Sequence, residues 1–356
     1  MITNIKHERP GVYSSYESSS LIAASAGGRK VAVIADAGKP EDVKEVYWWT
    51  SYSKAAADVG DCALSRLAQI AIRNGAGAVY GVPVKSAEND GGESYKAAVE
   101  AAAAIEDVSV VVCDSTELTV QQRLKEMVQE CSGARKERIA VVGGAAGDDV
   151  EALTDRAAKL DCERVVLVAP GGIDASGEAV GGAMCAAAVA GAIAGSTDPA
   201  LPLGGAQLYG LTGLEESYDD SEIDALVKGG VTALETLAGS YYVVRGVTTR
   251  TTTGGSPDTT WRELTTILVV DEVIPGLRDA LRAKFGRAKN TQQTRGAIRS
   301  QTVLELEKWV SREIIDSYDD VTVSALEDDP TVCLVEFAFT VAHGLNQVWL
   351  SAHITV

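Results

Sequence analysis

The chain has 356 residues, 46% of them hydrophobic, and a formal charge of −18 from 32 basic and 50 acidic side chains. That length admits two domains with a full apolar core, which excludes global disorder. The acidic balance excludes a general nucleic-acid binder, because phosphate contacts need a basic surface, and it suits a highly soluble subunit before any assembly.

Residues 1–20 contain the break Arg9-Pro10-Gly11-Val12-Tyr13, then a Ser-rich run. Lys6, Glu8 and Arg9 stand where a secretory leader would have an apolar core, so no signal peptide is expected. From about Lys30 to Pro170 strands and helices alternate. Residues 31–35, 79–84, 108–113, 139–142 and 165–169 read as strands, and 53–74, 92–105, 117–131 and 148–160 as helices. Short apolar runs between helices predict buried strands of a mostly parallel sheet. Residues 179–197 hold no charge over nineteen positions, but they are mostly Ala and Gly. They predict a tightly packed buried helix and no membrane insertion.

Residues 201–239 form a transition. They include the acidic run from Leu214 to Asp224, which lacks calcium-loop spacing and reads as a solvated helix start or an interface patch. A second domain is expected from about Gly239. It begins with a strand over 241–247 and a polar loop over 248–255. A helix over 261–284 follows, which Pro275 should break or kink. A second helix spans 293–315, with Ile298, Val303, Leu304, Leu306, Trp309, Val310 and Ile314 on one face. Strands follow at 321–325 and 331–341, the latter placing Cys333, Val335, Phe337, Phe339 and Val341 on one side. The final segment alternates strictly: Val348, Leu350, Ala352, Ile354 and Val356 fall on one face, and Trp349, Ser351, His353 and Thr355 on the other. This strand needs partners upstream or in another molecule, and the extended stretch at the amino end raises the same need. Two such arms suggest strand exchange between identical chains.

Motifs of chemistry are scarce. The histidines are His7, His343 and His353, none at a strand-to-helix switch where an α/β active site is expected. The six cysteines are scattered singly and read as buried reduced thiols, without zinc spacing. Neither the serine-hydrolase elbow nor a P-loop is present. No catalytic residue, cofactor or metal site is expected. The run from Gly143 to Gly147 follows a strand and precedes a helix, so a soluble α/β enzyme binding a phosphate-containing ligand there is the alternative reading. Against it, Asp148 and Asp149 would repel an anion. Ala169-Pro170-Gly171-Gly172 reads as a tight turn.

One charge feature departs from the acidic whole. Arg278, Arg282, Lys284, Arg287, Lys289, Arg295 and Arg299 are opposed only by Asp279, a local net charge of +6. This is either a solvated helix–loop–helix surface or an electrostatic dock for an acidic partner or a neighbouring copy.

The motif Arg9-Pro10-Gly11-Val12-Tyr13, the turn Val168-Ala169-Pro170-Gly171 with its small-residue helix to Ala194, and the stretch from Tyr242 to Thr249 together resemble the tail sheath proteins of contractile phage tails and R-type bacteriocins. The basic helix pair and the final strand from Gln347 to Val356 complete the resemblance. Its elements run in order over nearly the whole chain. The Ser-rich 14–20 departs from the more β-like sequence of many relatives.

The resemblance implies a mostly parallel α/β outer domain (26–238), an inner C-terminal α+β domain (239–344), an N-terminal arm (1–25) and a C-terminal strand arm (345–356). It implies exchange of terminal strands, involving Pro10, Gly11, Val12, Tyr13, Val348, Trp349, Leu350, Ala352 and Ile354. It further implies a helical homopolymer around a tail tube protein, with baseplate and tail terminator partners, assembled in a virion tail or tail-like particle after synthesis in a bacterial cytoplasm. No nucleotide or other cofactor is needed for contraction. A non-contractile shell or surface-layer protein is a third reading.

Overall fold

The computed structural model describes residues 29–38, 43–84, 92–173, 177–346 and 351. The alternating part runs β1 (Lys30–Asp36), β2 (Tyr47–Trp49), α1 (Tyr52–Val59), α2 (Ala63–Arg73), β3 (Ala78–Val84), α3 (Glu93–Ala104), β4 (Val110–Cys113), α4 (Leu118–Gly133), β5 (Ile139–Gly143), α5 (Val150–Leu160) and β6 (Val165–Ala169). A short hairpin, β7 (Gly172–Ile173) and β8 (Ala179–Gly181), leads into α6 (Ala183–Gly195). Then come β9 (Gln207–Leu208), α7 (Asp220–Lys228), β10 (Val231–Leu237), β11 (Ser240–Val243) and the two-residue strands β12 (Thr252–Thr253) and β13 (Ser256–Pro257). The C-terminal part is α8 (Leu264–Phe285), α9 (Gln292–Ser311), β14 (Ile315–Tyr318), β15 (Thr322–Ala325), β16 (Cys333–Glu336) and β17 (Phe339–Val341).

Nine strands form one sheet in the order β2-β3-β1-β4-β5-β6-β10-β11-β9. The six from β3 to β10 run parallel, and β2, β11 and β9 add antiparallel edges. The sequence explains the parallel centre. Strands such as β4 (Val-Val-Val-Cys) and β6 (Val-Val-Leu-Val-Ala) are apolar on both faces and buried throughout, as a sheet covered on both sides requires. In β1, Val31, Val33 and Ala35 face a core shared with α1, α2 and α6, whereas Ala32 and Ile34 face one shared with α3, α4, α5 and α7. The uncharged helix α6 is buried in the first of these cores. Its Gly191 lies against the Ala71 carbonyl of α2 so closely that a β-carbon would collide with it. Among the described residues no helix is long and apolar enough to cross a membrane.

Several expectations change. The helix over 53–74 is two helices, because Gly60 takes φ +76° and Cys62 starts a new helix, its backbone N–H capped by the Ser65 hydroxyl. The transition segment hides β10, which pairs in parallel with β6. The boundary expected at 239 falls in the turn joining β10 to β11, so the sheet continues past it. Pro275 does not end α8, which is one element across it. Its apolar side, Val269, Val273 and Leu277, is held in a third core, and ion pairs anchor it on both sides of the proline. Helix α9 ends at Ser311, before Ile314 and Ile315 enter that core. Leu304, expected on the apolar face of α9, is half exposed, while Gln301 and Thr302 are buried. The acidic run does start a helix: Asp219 caps α7 by accepting from the Ser221 and Glu222 N–H groups.

Candidate assembly surface

The C-terminal chain folds back on itself as a single antiparallel ribbon. Ile315 pairs with Val341 and Tyr318 with Phe339; after a joint where the Asp319 N–H donates to the Ala338 carbonyl at 2.9 Å, Thr322 pairs with Glu336 and Ala325 with Cys333. Alternation decides which side is covered. Val323, Val335, Phe337, Phe339 and Val341 pack onto the core built by α8, α9 and Trp309, with the Phe337 and Phe339 rings stacked at 6.2 Å. The opposite face carries Leu326, Val332 and Leu334, each 40% exposed. Among the described residues neither outer edge of this ribbon has a strand partner. An unpartnered edge presents a row of free backbone donors and acceptors, the usual template for adding a strand from another segment.

The basic cluster lies on α8, α9 and their connection, and the structure divides it. Arg278 turns to the sheet and pairs with Glu137 at 2.6 Å. Lys284 is hydrogen-bonded to Gln301, Arg295 donates to Asn290 Oδ1 at 2.9 Å, and Arg299 donates to the Val321 carbonyl at 2.7 Å with Asp320 at 3.4 Å. Arg282, Arg287 and Lys289 are exposed and have no ion-pair partner among the described residues. The Asn290 side chain donates to the Pro330 and Val332 carbonyls at 2.8 and 3.1 Å. It thereby fixes the α8–α9 connection against the ribbon's turn. The connection that carries Arg287 and Lys289 thus adjoins the ribbon turn flanked by Leu326 and Val332. Sequence reasoning missed Asn290 and strand β14, because neither stands out by type or period; the pairing of distant segments creates their roles.

Helix α8 is fastened to the amino ends of the parallel strands by charge. Arg164, just before β6, makes a bidentate pair with Asp271 at 2.7 and 2.9 Å, and Arg29, just before β1, reaches Glu272 at 3.0 Å. Glu137, just before β5, holds Arg278. Burial pushes the Asp271 carboxyl up despite its Arg164 partner. Burial would also raise Glu137, but the Arg278 hydrogen bond, Glu137's own backbone and the nearby guanidinium charges together hold it below the usual range.

Arg29 also lines an apolar recess of ≈280 Å³ between α6, the 198–206 loop and the start of α8. Pro202 in that wall lies against Gly344, and Leu345 beyond it is 78% exposed. Arg29 and Gly344 thus both lie at the wall of this recess. Pro10, Gly11, Val12, Tyr13, Val348, Trp349, Leu350, Ala352 and Ile354, expected to exchange between subunits, lie outside the described residues.

The glycine loop after β5 is not an open cradle. The Ala145 N–H donates to Asp148 Oδ2 at 2.9 Å and the Gly147 N–H to Glu215 Oε2 at 3.4 Å, so the chain's own carboxylates take positions a phosphate would need. All six cysteines are free thiols. Burial pushes Cys162 up to about 11 and Cys185 up to about 12, which leaves them as inert core residues.

Comparison with known proteins bears on this arrangement. A model of the phage tail sheath protein central domain matches residues 88–249, and one of the phage tail sheath C-terminal domain matches residues 256–355. The tail sheath protein of Bacillus phage SP01 is 27% identical over 253 residues, covering 69% of this chain but 43% of that protein, so the chain spans under half of that relative's length. The sheath tail protein of Listeria innocua has a similar fold, with a TM-score of 0.71 at 12% identity over 90% of this chain and 93% of that one. So does a chain of the helical sheath of the anti-feeding prophage in its contracted state, with a TM-score of 0.70 at 13% identity over 98% and 99%.

Proposed function

The chain belongs to the phage tail sheath family, and we propose that it is a structural subunit of a contractile sheath: a unit that polymerises helically around a tail tube and contracts to drive that tube through a target envelope. The observation that carries this reading is the C-terminal ribbon, covered on one face and without a strand partner on either edge among the described residues. A two-stranded ribbon is marginal by itself, and added strands would complete it. The terminal segments 1–25 and 345–356 supply candidates, with Val12, Tyr13, Val348, Leu350 and Ile354 as side chains that would lie along the ribbon. Because the sheet runs through β11, we place the division between outer and inner units after Val243 instead of at 239.

Head-to-tail contacts that do not close on themselves build a helix. Backbone hydrogen bonds across exchanged strands tether subunits whatever side chains move nearby. The work of contraction then comes from the free-energy difference between two packings of the same subunits, held apart by a barrier. This role uses no catalytic residue and no cofactor. Arg282, Arg287 and Lys289, the cations of the cluster not engaged within the chain, form the face offered to an acidic tube or neighbour. Baseplate and terminator proteins would cap the two ends of the polymer, and assembly would occur in a virion tail or tail-like particle.

Electron microscopy of the purified chain with its tube protein tests the reading. Hollow striated sleeves are expected, and a chain lacking 345–356 should stay folded and fail to polymerise. Discrete particles at every concentration, or sleeves of normal form from the truncated chain, would overturn it. Charge reversal by Arg282→Glu with Arg287→Glu should impair assembly on the tube, and normal sleeves from that variant remove the docking assignment.

A further inference from the structure

In an open parallel sheet the place for a ligand is the crevice outside the carboxyl ends of the strands. At β5 and β6 in this chain that place is filled from within. The loop leaving β5 ends at Gly147, the turn leaving β6 contains Gly171, and Gly181 leads into α6. Glu215 reaches between them. Its Oε1 accepts the Gly181 N–H at 2.9 Å and its Oε2 the Gly147 N–H at 3.4 Å. Its own backbone N–H donates to the Gly171 carbonyl at 2.9 Å.

A β-carbon on Gly171 would lie 2.6 Å from the carboxylate carbon and from both its oxygens. The seat therefore exists only because position 171 has no side chain. Around it the chain is stitched down: the Ile173 N–H donates to the Gly213 carbonyl at 3.1 Å, and Gly172 bridges to Leu214. Arg156 is matched to Asp148 of the β5 loop at 2.9 and 3.2 Å. Among the described residues, the donors to the Glu215 carboxylate are backbone N–H groups. The residues that follow, Glu216 to Asp224, are the acidic run that starts α7.

We propose that Glu215 is an internal latch: its carboxylate occupies a small-anion seat at the carboxyl end of the sheet, closing it to outside ligands and pinning the acidic loop that leads into α7. A fold that elsewhere binds ligands at this edge is in this way turned into a rigid building unit. The inference does not depend on the assembly reading, since it concerns the subunit alone.

Acetate, a free carboxylate of the right size, is the probe. In the whole chain, Glu215→Ala should lower the melting midpoint by about 3 °C. Sodium acetate should restore it saturably, whereas sodium chloride at equal ionic strength should not, and the wild type should respond to both salts alike. Gly171→Ala should also melt lower but gain nothing from acetate, because the new methyl group fills the seat. Equal midpoints for Glu215→Ala and wild type, restoration by chloride as large as by acetate, or acetate rescue of Gly171→Ala would each overturn the proposal. Should Glu215→Ala not fold, Glu215→Gln keeps the volume but offers one acceptor to two donors. At least one of the Gly147 and Gly181 amides should then exchange about tenfold faster than in wild type, and unchanged exchange at both overturns the latch.

Discussion

The sheet body and the C-terminal ribbon are made from the same kinds of residue but finished to different degrees. In the body, both faces of the parallel strands are covered by helices, and β1, β4, β5 and β6 contribute side chains with essentially no exposure. In the ribbon, one face is covered by α8 and α9, the other carries exposed Leu326, Val332 and Leu334, and both edges lack partners among the described residues. The parallel centre of the body is covered on both faces; the ribbon is covered on one. The lesson is that a subunit can combine a part covered on both sides with a part covered on one, which under the proposed function is the part that associates, and a line of ion pairs at α8 joins the two.

That contrast can be broken where the two regions meet. Asp271→Ala leaves Arg164 charged and almost fully covered, with side-chain exposure of 12%. It should cost about 3–5 kcal/mol, seen as a lower denaturant midpoint of the whole chain. A loss below about 1 kcal/mol would mean that the two regions are not coupled through this pair. Within the body, Gly191→Val drives a side chain into the α2 backbone at Ala71 and should cost about 1–3 kcal/mol, read in the same titration, with ribbon packing unaffected in the folded fraction.

The junction can also be loosened by acid. Glu137 is held below its usual value of 4.5, so the folded state keeps it charged to lower pH than the unfolded state does. Its contribution is full above that value and is lost as pH falls through the lower folded one. Asp271, raised above 3.8, acts in the opposite sense, gaining its proton first in the folded state as pH falls. The stability advantage of wild type over Glu137→Gln, measured by urea unfolding, should therefore shrink as pH drops from about 6 to about 3.5. An advantage that stays constant would contradict the pairing with Arg278. The smallest effect belongs to the unfinished region. Removing 345–356 should change monomer stability by less than about 0.5 kcal/mol while abolishing polymerisation by light scattering; a large loss of stability would show that this segment completes its own subunit.

Much of the body was legible in the chain. Runs such as Val110-Val111-Val112-Cys113 between amphipathic helices announce buried parallel strands, and the uncharged Ala/Gly stretch announces a buried helix, which α6 is. The errors fall where local signals compete. Gly60 divides a helix whose apolar spacing runs on either side of it. Pro275 sits inside α8 because packing and ion pairs on both sides outweigh a missing hydrogen bond. Strand β10 (Val-Thr-Ala-Leu-Glu-Thr-Leu) is short and mixed in polarity, and it becomes a strand through its place beside β6. For the candidate surface, the sequence located the basic cluster but could not show that Arg278, Lys284, Arg295 and Arg299 are engaged by side chains or carbonyls within the chain. That leaves Arg282, Arg287 and Lys289 as the exposed cations of the cluster without a side-chain partner among the described residues.

By itself, then, the order of residues determined which segments are apolar on two faces, on one face or on none, and so the layered α/β body, the one-sided strands near the C-terminus and the charge contrast between the acidic whole and the basic helix pair. These follow from periodicity and composition, which act over a few residues. Only the tertiary structure decided that Glu215 fills the edge of the sheet, that α8 is fastened across the strands' amino ends, and that Asn290 ties the basic connection to the ribbon's turn. Each of these joins groups far apart in the chain, and such contacts exist only once packing has brought their backbones within hydrogen-bonding reach.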